Sequence, residues 1–452
     1  MGSPLSLRRH ILLLLIVLAP SHMAQSADSS VVLWDLPGRG LEWILASPDG
    51  SSVAFALRAD AGITVYRDKT NLGSYEHAFN PFFSANARSF AFLAIDTNGA
   101  TFVVNGRPLP QLRVAADQLA NPQMLAAILL PAVAFNPDGT IFAYRSVADP
   151  GSPIGPAPPG MFEAAPSAIY LNGKAETSHP EVGNPVYNPS TNELLYRVRD
   201  NGLNQAYLNR GGVQGKKYAA LTDPVVSADG LHVGYSAETE AGKWFPVVDG
   251  VESGSGYDFP SSLVFSPNGK RVAFIAGTPG VGQFVVVDGR RDPQSFKYIG
   301  SVQFSQDNAR YGYVGNSNVA FGVPEPNETV IIVDGKEVAR QPSAVALGPF
   351  LGPATRTAYI LMSGARATMV LDGRSDGPYG SIGFPVYSPA GDHVAYGVVD
   401  GLSGQLKMIV DGVSSSPYSM LTPPRFTPAN TAEYYAATVD DRVRIVRITH
   451  TF

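Results

Sequence analysis

A unit of about 39 residues recurs along almost the whole chain and constrains its fold more than any other feature. The clearest copy starts at residue 263 and has the sequence LVFSPNGKRVAFIAGTPGVGQFVVVDG. An apolar run ends in an aromatic residue, a Pro/Asn/Gly turn follows, and two β-rich runs come next, the second of which ends at Asp-Gly. Alternating runs between such turns predict strands joined by hairpins. A fourth run, Phe296 to Ile299, is predicted to complete a four-stranded antiparallel unit.

The copies of this unit can be counted at the residue that follows the first aromatic position. These residues are Ser47, Ser84, Asn136, Asn188, Ser227, Ser266, Ser305, Leu351, Ser388 and Thr427. A small sheet cannot bury both faces alone and stacks on its neighbours, as propeller blades do. The sequence therefore predicts an all-β fold, a single β-propeller of about ten four-stranded blades over residues 31-452. Two smaller propellers are the alternative, because ten exceeds the usual four to eight blades.

The two ends of the chain predict how the ring closes. The last unit has three strand-like runs, at Pro424 to Phe426, Glu433 to Ala437 and Arg442 to Ile448. The run Val31 to Leu36 precedes the first unit and has no partner of its own. We expect this N-terminal strand to join the last blade as its outer strand, which would protect a sheet edge.

The first residues, 1-26, have the features of a secretory signal peptide. Arg8 and Arg9 precede an apolar run from Ile11 to Ala19, and residues 24–26 form a small-residue cleavage site. The apolar run is shorter than the roughly 20 residues that cross a bilayer, so no membrane span is expected. We expect a periplasmic or secreted protein, exported by either the general secretory or the twin-arginine route.

Composition limits the classes of partner and of covalent stabilisation. The formal net charge is -5, and after the leader no cluster of Lys and Arg occurs. Because nucleic-acid binding requires a basic surface, no nucleic-acid partner is expected. The chain has no Cys, so disulfides cannot stabilise it and stability must come from packing between blades.

Three insertions interrupt the repeat, at Val114 to Leu130, Val147 to Ala168 and Gly315 to Glu328. The first is rich in Ala, Leu and Gln and predicts one or two short helical turns, whereas the second is rich in Pro and Gly and predicts an extended loop. In a four-stranded meander, loops between strands two and three and connections between blades lie on the same face. All three insertions are of these kinds, so this face is predicted to carry binding.

Acidic residues recur before Gly at the end of the third strand of successive units. They are Asp249, Asp288, Asp334, Asp372 and Asp411. A metal site needs oxygens that converge on one ion, but these residues are spread around a ring. Asn105 and Asn172 occupy the same place, which is typical of a turn that needs a positive φ. We expect turn residues here, with no metal site and no cofactor.

Sequence motifs do not predict catalysis. No nucleophile elbow is predicted, because the Gly-x-Ser-x-Gly string at residues 373–377 begins in the Asp-Gly turn of its unit, and there is no phosphate-binding or dinucleotide-binding glycine pattern. The histidines after the leader are scattered over separate units, at His77, His179, His232, His393 and His450. No catalytic residue is predicted.

One position in the second strand departs from the repeat. The residue after the aromatic is small or apolar in most units, at Ala56, Leu93, Ser236, Ile275, Val314, Ile360, Gly397 and Ala436. Units three and four instead have Arg145 and Arg197, with Arg199 two residues further on. Guanidinium groups on neighbouring blades would bind a carboxylate or phosphate. Alternatively each arginine pairs with an acid such as Asp149 or Asp200, or lies in solvent.

Trp244 is a further candidate anchor for a ligand, because aromatic side chains dominate many binding interfaces. Phe284 occupies the matching strand position in the next unit. Packing between blades is therefore the alternative role for Trp244.

The strings SPDGSSVAF, NPDGTIFAY, SPNGKRVAF and SPAGDHVAY resemble the TolB-type, WD-repeat-like propeller repeat of secreted bacterial proteins. The resemblance covers nearly all of the chain after the leader. It implies a binding scaffold with a protein or peptide partner in the cell envelope. Unlike TolB, the chain is not expected to have a separate N-terminal α/β domain. Unlike propeller-containing prolyl-oligopeptidase-like peptidases, it is not expected to have a hydrolase domain after the last unit.

These observations favour a non-catalytic binding scaffold that presents the inserted face to a protein or a small anionic ligand. A polysaccharide-active hydrolase or lyase with its site in the central channel is the alternative. Such an enzyme would need a pair of carboxylates close together on that face.

Overall fold

The repeat folds into a ring of small antiparallel sheets in the computed structural model of the chain. The structure describes residues 27–37, 40–60, 62–97, 99–112, 119–129, 132–147, 166–200, 205–254, 256–258, 263–278, 280–317, 328–342 and 345–452. The predicted signal peptide, residues 1-26, lies outside this set. Strands are numbered along the chain, and blades are numbered from the first complete unit, with each blade given from its inner to its outer strand.

The first five blades follow one another along the chain. Blade 1 consists of β2 (Gly40–Ala46), β3 (Val53–Ala59), β4 (Gly62–Arg67) and β5 (Thr70–Tyr75). Blade 2 consists of β6 (His77–Phe83), β7 (Phe90–Asp96), β8 (Gly99–Val104) and β9 (Arg107–Pro108). Blade 3 consists of β10 (Val133–Phe135), β11 (Phe142–Val147), β12 (Ser167–Leu171) and β13 (Lys174–Ala175). Blade 4 consists of β14 (Glu181–Val182), β15 (Val186–Tyr187), β16 (Leu194–Arg199), β17 (Ala206–Arg210) and β18 (Val213–Tyr218). Blade 5 consists of β19 (Ala220–Leu221), β20 (Val225–Val226), β21 (Val233–Glu238), β22 (Trp244–Val248) and β23 (Val251–Glu252).

The other five blades complete the ring. Blade 6 consists of β24 (Leu263–Phe265), β25 (Val272–Thr278), β26 (Gly282–Val287) and β27 (Arg290–Arg291). Blade 7 consists of β28 (Tyr298–Ile299), β29 (Gln303–Phe304), β30 (Tyr311–Asn316), β31 (Glu328–Val333) and β32 (Lys336–Pro342). Blade 8 consists of β33 (Val345–Leu351), β34 (Thr357–Ser363), β35 (Arg366–Leu371) and β36 (Arg374–Tyr379). Blade 9 consists of β37 (Ser381–Ile382), β38 (Val386–Tyr387), β39 (Val394–Val399), β40 (Leu406–Val410) and β41 (Val413–Ser414). Blade 10 consists of β42 (Met420–Leu421), β43 (Arg425–Phe426), β44 (Thr431–Val439), β45 (Arg442–Thr451) and β1 (Ala27–Pro37).

The N-terminal strand closes the ring as predicted. It pairs antiparallel with the last strand of the chain, from Ala27 opposite Thr451 to Pro37 opposite Arg442. Blade 10 in turn contacts blade 1, where the Tyr435 hydroxyl donates a hydrogen bond of 2.7 Å to the Gly50 carbonyl. The chain is therefore a single propeller of ten blades, and the alternative of two smaller propellers is wrong.

The core consists of layers between blades, because successive residues of a strand point to opposite faces of its sheet. In the second strand of blade 1, Ala54 and Ala56 pack towards blade 2, whereas Phe55 and Leu57 pack towards blade 10. All four are buried. Both faces of each sheet are covered, so the second strands are almost continuously apolar in sequence.

Two rims bound the ring, and we name them by their connections. The turn rim carries the turns between strands one and two and between strands three and four, which in blade 1 are at residues 47–52 and 68–69. The loop rim carries the connections between strands two and three and between blades. The strands that flank all three predicted insertions place those insertions on the loop rim.

The first insertion contains the predicted helix, α1 (Pro122–Leu129), in which Leu125 and Ala126 are buried between blades 2 and 3. The Asn80 side chain fastens it to blade 2 through a hydrogen bond of 2.6 Å to the Ala126 carbonyl. Residues 113–118, 130–131, 148–165 and 318–327 of the insertions lie outside the described residues. No helix within the described ranges is long and apolar enough to cross a membrane.

A buried serine organises the turn between strands one and two. In blade 1 the Ser47 hydroxyl donates to the Asp49 carboxylate at 2.6 Å and accepts a hydrogen bond from the Ser52 backbone N–H at 3.0 Å. The Ser-to-acid contact recurs at Ser227, Ser305 and Ser388. Because these hydrogen bonds satisfy the Ser47 hydroxyl, Ser47 can be buried.

The acids before Gly are turn residues, as predicted. Their φ angles are 52° at Asp249, 51° at Asp288, 50° at Asp334, 49° at Asp372 and 49° at Asp411. Each also accepts a hydrogen bond from the backbone N–H of the second strand, as Asp288 does from Val272 at 3.0 Å. Asp and Asn suit this place because they tolerate positive φ and carry the required acceptor.

The same acids make contacts that the sequence analysis missed. In blades 5 to 9 the residue before the second strand is basic and contacts the acid, in the pairs His232–Asp249, Arg271–Asp288, Arg310–Asp334, Arg356–Asp372 and His393–Asp411. Arg271 also donates to the Asn308 and Ala309 carbonyls of the next blade and lies over the Phe304 ring at 5.2 Å. The basic residue therefore fastens one blade to the next along the turn rim.

Acid is expected to destabilise the fold through these turns. Hydrogen bonds, the largest from Ser47, lower the pKa of Asp49 from 3.8 to about 2. The lowered pKa means that the contribution of Asp49 is complete above about pH 4 and is lost as the pH falls towards 2. The melting temperature should fall over this range. Asp49→Asn should reduce the fall, because Asn86 and Asn268 occupy equivalent turn positions, and identical pH profiles for both proteins would contradict this.

Two details of the predicted repeat are wrong. Phe296 does bridge Gln283 at the outer edge of blade 6, but Tyr298 and Ile299 form the start of blade 7, because the tight Asp-Gly turn already supplies the outer strand β27. The turn after β33 is one residue shorter than that of blade 5, as is the turn of blade 10, and its hydrogen bonds match Gly352 rather than Leu351 with Ser227.

The strand register of blade 10 shows that Ala436 is not the residue that matches the second-strand position compared across the units. The backbone N–H of Thr422 bonds to the Tyr435 carbonyl, as that of Thr222 bonds to the Ser236 carbonyl in blade 5. Tyr435 rather than Ala436 therefore matches Ser236. The other positions of that comparison, including Arg145 and Arg197, keep their alignment in the strand registers.

Candidate functional site

The first strand of each blade lines the central channel, and in several blades an irregular segment divides it. In blade 5 the segment is Thr222-Asp223-Pro224, between β19 and β20. Proline has no N–H to pair with a neighbouring strand, so the ladder stops there. The Asp223 side chain faces blade 4 and lies directly against Gly183. A Cβ atom added to Gly183 would be only 2.0 Å from an Asp223 carboxylate oxygen. This irregularity places a carboxylate on the channel wall between two blades.

Arg145 reaches the same part of the wall from blade 3. Its neighbour two residues back, Ala143, packs against blade 4, so Arg145 faces blade 4 as well. One guanidinium nitrogen donates to the Val182 carbonyl at 3.5 Å. Burial lowers the pKa of Arg145, and the charges of Asp223 and Glu181 oppose that shift. Arg145 is thus a partly desolvated cation.

Arg197 occupies the equivalent position one blade further on. Its guanidinium lies 2.8 Å from a Glu181 oxygen and 3.3 Å from an Asp223 oxygen. Arg199, which is more exposed, lies 3.6 Å from the other Glu181 oxygen. Arg197 therefore joins the inner strands of blades 4 and 5.

The alternative prediction that these arginines pair with acids therefore describes Arg197 and Arg199, although the partners differ from those expected. Asp149 lies outside the described residues. Asp200 instead contacts His179 at 3.2 Å and Lys217 at 4.0 Å. Glu181 and Asp223, which are the observed partners, were not identified in the sequence.

Together these groups form a mixed-charge cluster, which we call the arginine cluster and define as Arg145, Glu181, Arg197, Arg199 and Asp223. Three guanidinium groups face two carboxylates, so the cluster has a surplus of one positive charge. Within the described ranges, no carboxylate oxygen comes within 4.0 Å of the Arg145 guanidinium. Among the described residues, Arg145 is therefore the arginine of the cluster that has no carboxylate contact.

Trp244 is not part of this cluster. Its neighbour Phe245 packs towards blade 4, so the Trp244 side chain points to the other face of its sheet, towards blade 6. Trp244 also pairs with Tyr257 through a backbone bridge, as Gln283 pairs with Phe296 in blade 6. The strand registers match Phe284 with Phe245, so the predicted match of Phe284 with Trp244 is wrong. The structure thus separates the aromatic candidate from the three arginine candidates by the thickness of one blade.

An apolar depression lies on the channel wall next to the cluster, and the sequence analysis missed it. The inner strands of blades 5, 6 and 7 line it, with residues that include Val225, Val226, Leu263, Val264, Val302 and Phe304. Its volume is about 460 Å³. In the sequence, the residues that line the depression are the two or three apolar residues before the first turn of each unit. The same pattern is typical of a buried strand, so it does not identify a depression.

The carboxyl groups whose pKa values shift in the described part of the chain all shift downward, mostly through hydrogen bonds from neighbouring hydroxyls, N–H groups and arginines. No group of three His, Asp or Glu residues in those ranges could hold a metal ion. Two of the histidines, His232 and His393, belong to the basic–acid pairs of the turn rim.

No protein-family model and no curated protein matches the chain. Among solved structures, it is similar to TolB from Acinetobacter baumannii at 15% identity and a TM-score of 0.30, over 56% of this chain and 62% of that one. It is similar to the GH74 enzyme of Niastella koreensis at 12% identity and a TM-score of 0.31, over 90% and 72% of the two chains. For the acylaminoacyl peptidase of Pyrococcus horikoshii the values are 11%, 0.33, 82% and 58%.

The chain thus spans less than two thirds of the length of the TolB and acylaminoacyl peptidase structures. Similarities at these identities concern the fold alone. TolB, whose repeat the sequence resembles, is among these solved structures.

Proposed function

We propose that the protein is a periplasmic or secreted binding scaffold whose loop rim binds a protein partner or a small anionic ligand. The observation that carries this proposal is the convergence of Arg145 and Arg197, from neighbouring blades, on the channel wall around Asp223.

The state of Arg145 supports an anion as the ligand. A guanidinium has five N–H donors in a planar fork, and in the described residues Arg145 uses one of them, towards Val182. Its partial burial strengthens charge-assisted hydrogen bonds, because the local dielectric constant is lower than that of water. Carboxylate and phosphate groups match the geometry of the remaining donors.

The loop rim around the cluster supports a larger partner. Helix α1 lies on this rim beside blade 3, the blade of Arg145, and the side chain of Met124 on that helix is 61% exposed. Exposed Met side chains adapt to differently shaped partners. A partner bound there would lie within reach of the channel mouth and of the arginine cluster.

A pull-down from envelope extract tests the proposal. We expect Arg145→Ala/Arg197→Ala to recover markedly less partner than the wild type, because two cations that face the ligand are lost. Arg290→Ala on the exposed outer strand β27 is the matched control and should recover the wild-type amount. Melting temperatures should accompany the assay, since loss of Arg197 also frees two carboxylates. Equal recovery by the double variant and the wild type would remove the cluster from the proposal.

The alternative, a polysaccharide-active hydrolase or lyase, is favoured by one observation. Glu181 and Asp223 both contact the Arg197 guanidinium, so two carboxylates lie close together on the channel wall. Glycosidases use such pairs. Release of reducing sugars from envelope polysaccharides by the wild type, lost in both Glu181→Gln and Asp223→Asn, would support the enzyme over the scaffold.

A further inference from the structure

The arginine cluster and the apolar depression are adjacent along one strand. Asp223 precedes Pro224 and then Val225, which lines the depression. Two residues of extended chain span roughly 7 Å. The inner strand of blade 5 therefore leads from the charged part of the channel wall to the apolar part, in the direction from the loop rim to the turn rim.

The depression faces the channel. Val225, Val264 and Phe304 are only half-buried although they lie on the inner strands of blades packed on both sides. The volume of about 460 Å³ lies within the ~300–1,000 Å³ range of small-molecule sites, which are mostly apolar with a few well-placed polar groups. The arginine cluster supplies such polar groups at one end only.

We infer that the channel wall of blades 3 to 7 binds an anionic alkyl amphiphile, with its head group at Arg145 and its chain along the depression. This inference rests on the proposed function and names the class of its small ligand. The surplus of one positive charge in the cluster favours an anionic head group. Carboxylate and phosphate heads share this chemistry, and the experiment below distinguishes them.

Titration of the full chain with octanoate, decanoate and dodecanoate by calorimetry tests the inference. Each added methylene buried in the depression should tighten the dissociation constant by roughly fourfold. Acetate should bind weakly and compete with dodecanoate. Dodecyl phosphate is measured in parallel, and the tighter of the two twelve-carbon ligands identifies the preferred head group.

Two substitutions separate the head from the chain. Arg145→Ala should weaken dodecanoate binding by at least about tenfold, the typical effect of losing a charge-assisted hydrogen bond. Val264→Asp should weaken dodecanoate but leave acetate unchanged, because it places a charge only in the depression. Val213→Asp, at a residue that is 69% exposed on the outer strand β18, is the matched control. Val264→Ser serves as a milder variant if the aspartate unfolds the blade.

The outcomes distinguish this inference from the proposed function. Acetate binding that depends on Arg145, without any gain from chain length, would overturn the amphiphile and leave the anion site in place. Dodecanol that binds as tightly as dodecanoate would overturn the role assigned to Arg145. Absence of binding by every ligand would overturn both the amphiphile and the small-anion part of the proposed function.

Discussion

Trp34→Ala is expected to lower the free energy of unfolding by about 3 kcal/mol, within the usual cost of removing a large aromatic side chain from a packed interface. Trp34 lies on β1 and packs against Phe55 at 5.5 Å and Tyr66 at 6.2 Å, measured between ring centres. These rings belong to blade 1, whereas β1 is the outer strand of blade 10. The substitution therefore weakens the interface at which the ring closes.

Urea unfolding followed by near-ultraviolet circular dichroism measures this effect. Val32→Ala is the control, because Val32 lies on the same strand but is 59% exposed, and a change within about 0.5 kcal/mol is expected there. If both variants lost the same small amount of stability, ring closure through β1 would contribute little to folding. A smaller apparent slope or an intermediate for Trp34→Ala would show that blades 10 and 1 separate before the rest unfolds.

The ring architecture was predictable because the same pattern of strands and turns recurs in ten units. Each turn combines a Pro, Asn or Asp with Gly between β-rich runs, and no single misplaced residue changes the blade count. The errors at Leu351 and Ala436 arose where a turn is one residue shorter or where the strand register is shifted. Sequence spacing alone cannot detect such shifts, because the backbone pairing that defines them is a tertiary feature.

The basic–acid pairs of the turn rim have a signal in the sequence, a basic residue directly before the apolar run of the second strand. In SPNGKRVAF the residue before the apolar run is Arg271, and in SPAGDHVAY it is His393. Their acidic partners, Asp288 and Asp411, follow more than a dozen residues later, directly after the third strand of the same blade. Only the observed pairing of strands two and three brings the partners together.

The candidate site was predicted in part. At a second-strand position that is small or apolar in most units, two neighbouring units have Arg145 and Arg197. Both guanidinium groups contact the inner strand of blade 4 on the channel wall. Glu181 and Asp223 could not be found in this way, because neither lies at a regular strand position of the repeat. Glu181 is on a two-residue strand, and Asp223 is in the irregular segment that divides the inner strand of blade 5. The depression was hidden because an apolar inner strand has the same sequence whether it is buried or faces a channel.

Asp292→Ala is expected to lower the free energy of unfolding by about 3 kcal/mol, because it leaves buried donors without an acceptor. The Asp292 side chain is only 3% exposed and ends the outer part of blade 6. It accepts hydrogen bonds from the hydroxyls of Tyr311 at 2.8 Å and Tyr313 at 2.9 Å, both on the second strand of blade 7. Burial first, and then Asp292 itself, raises the pKa of both tyrosines, so they stay protonated donors.

A double-mutant cycle separates this network from simple loss of a side chain. In the Tyr311→Phe/Tyr313→Phe background, Asp292→Ala should cost much less than in the wild type, because the donors are already absent. Asp292→Asn should be intermediate, since one carbonyl oxygen remains for two hydroxyls. Equal costs of Asp292→Ala in both backgrounds would show that the carboxylate does not act through the tyrosines. In that case the contact between blades 6 and 7 depends on the apolar layer around Val285 and Ile332 and on the Arg271 contacts rather than on Asp292.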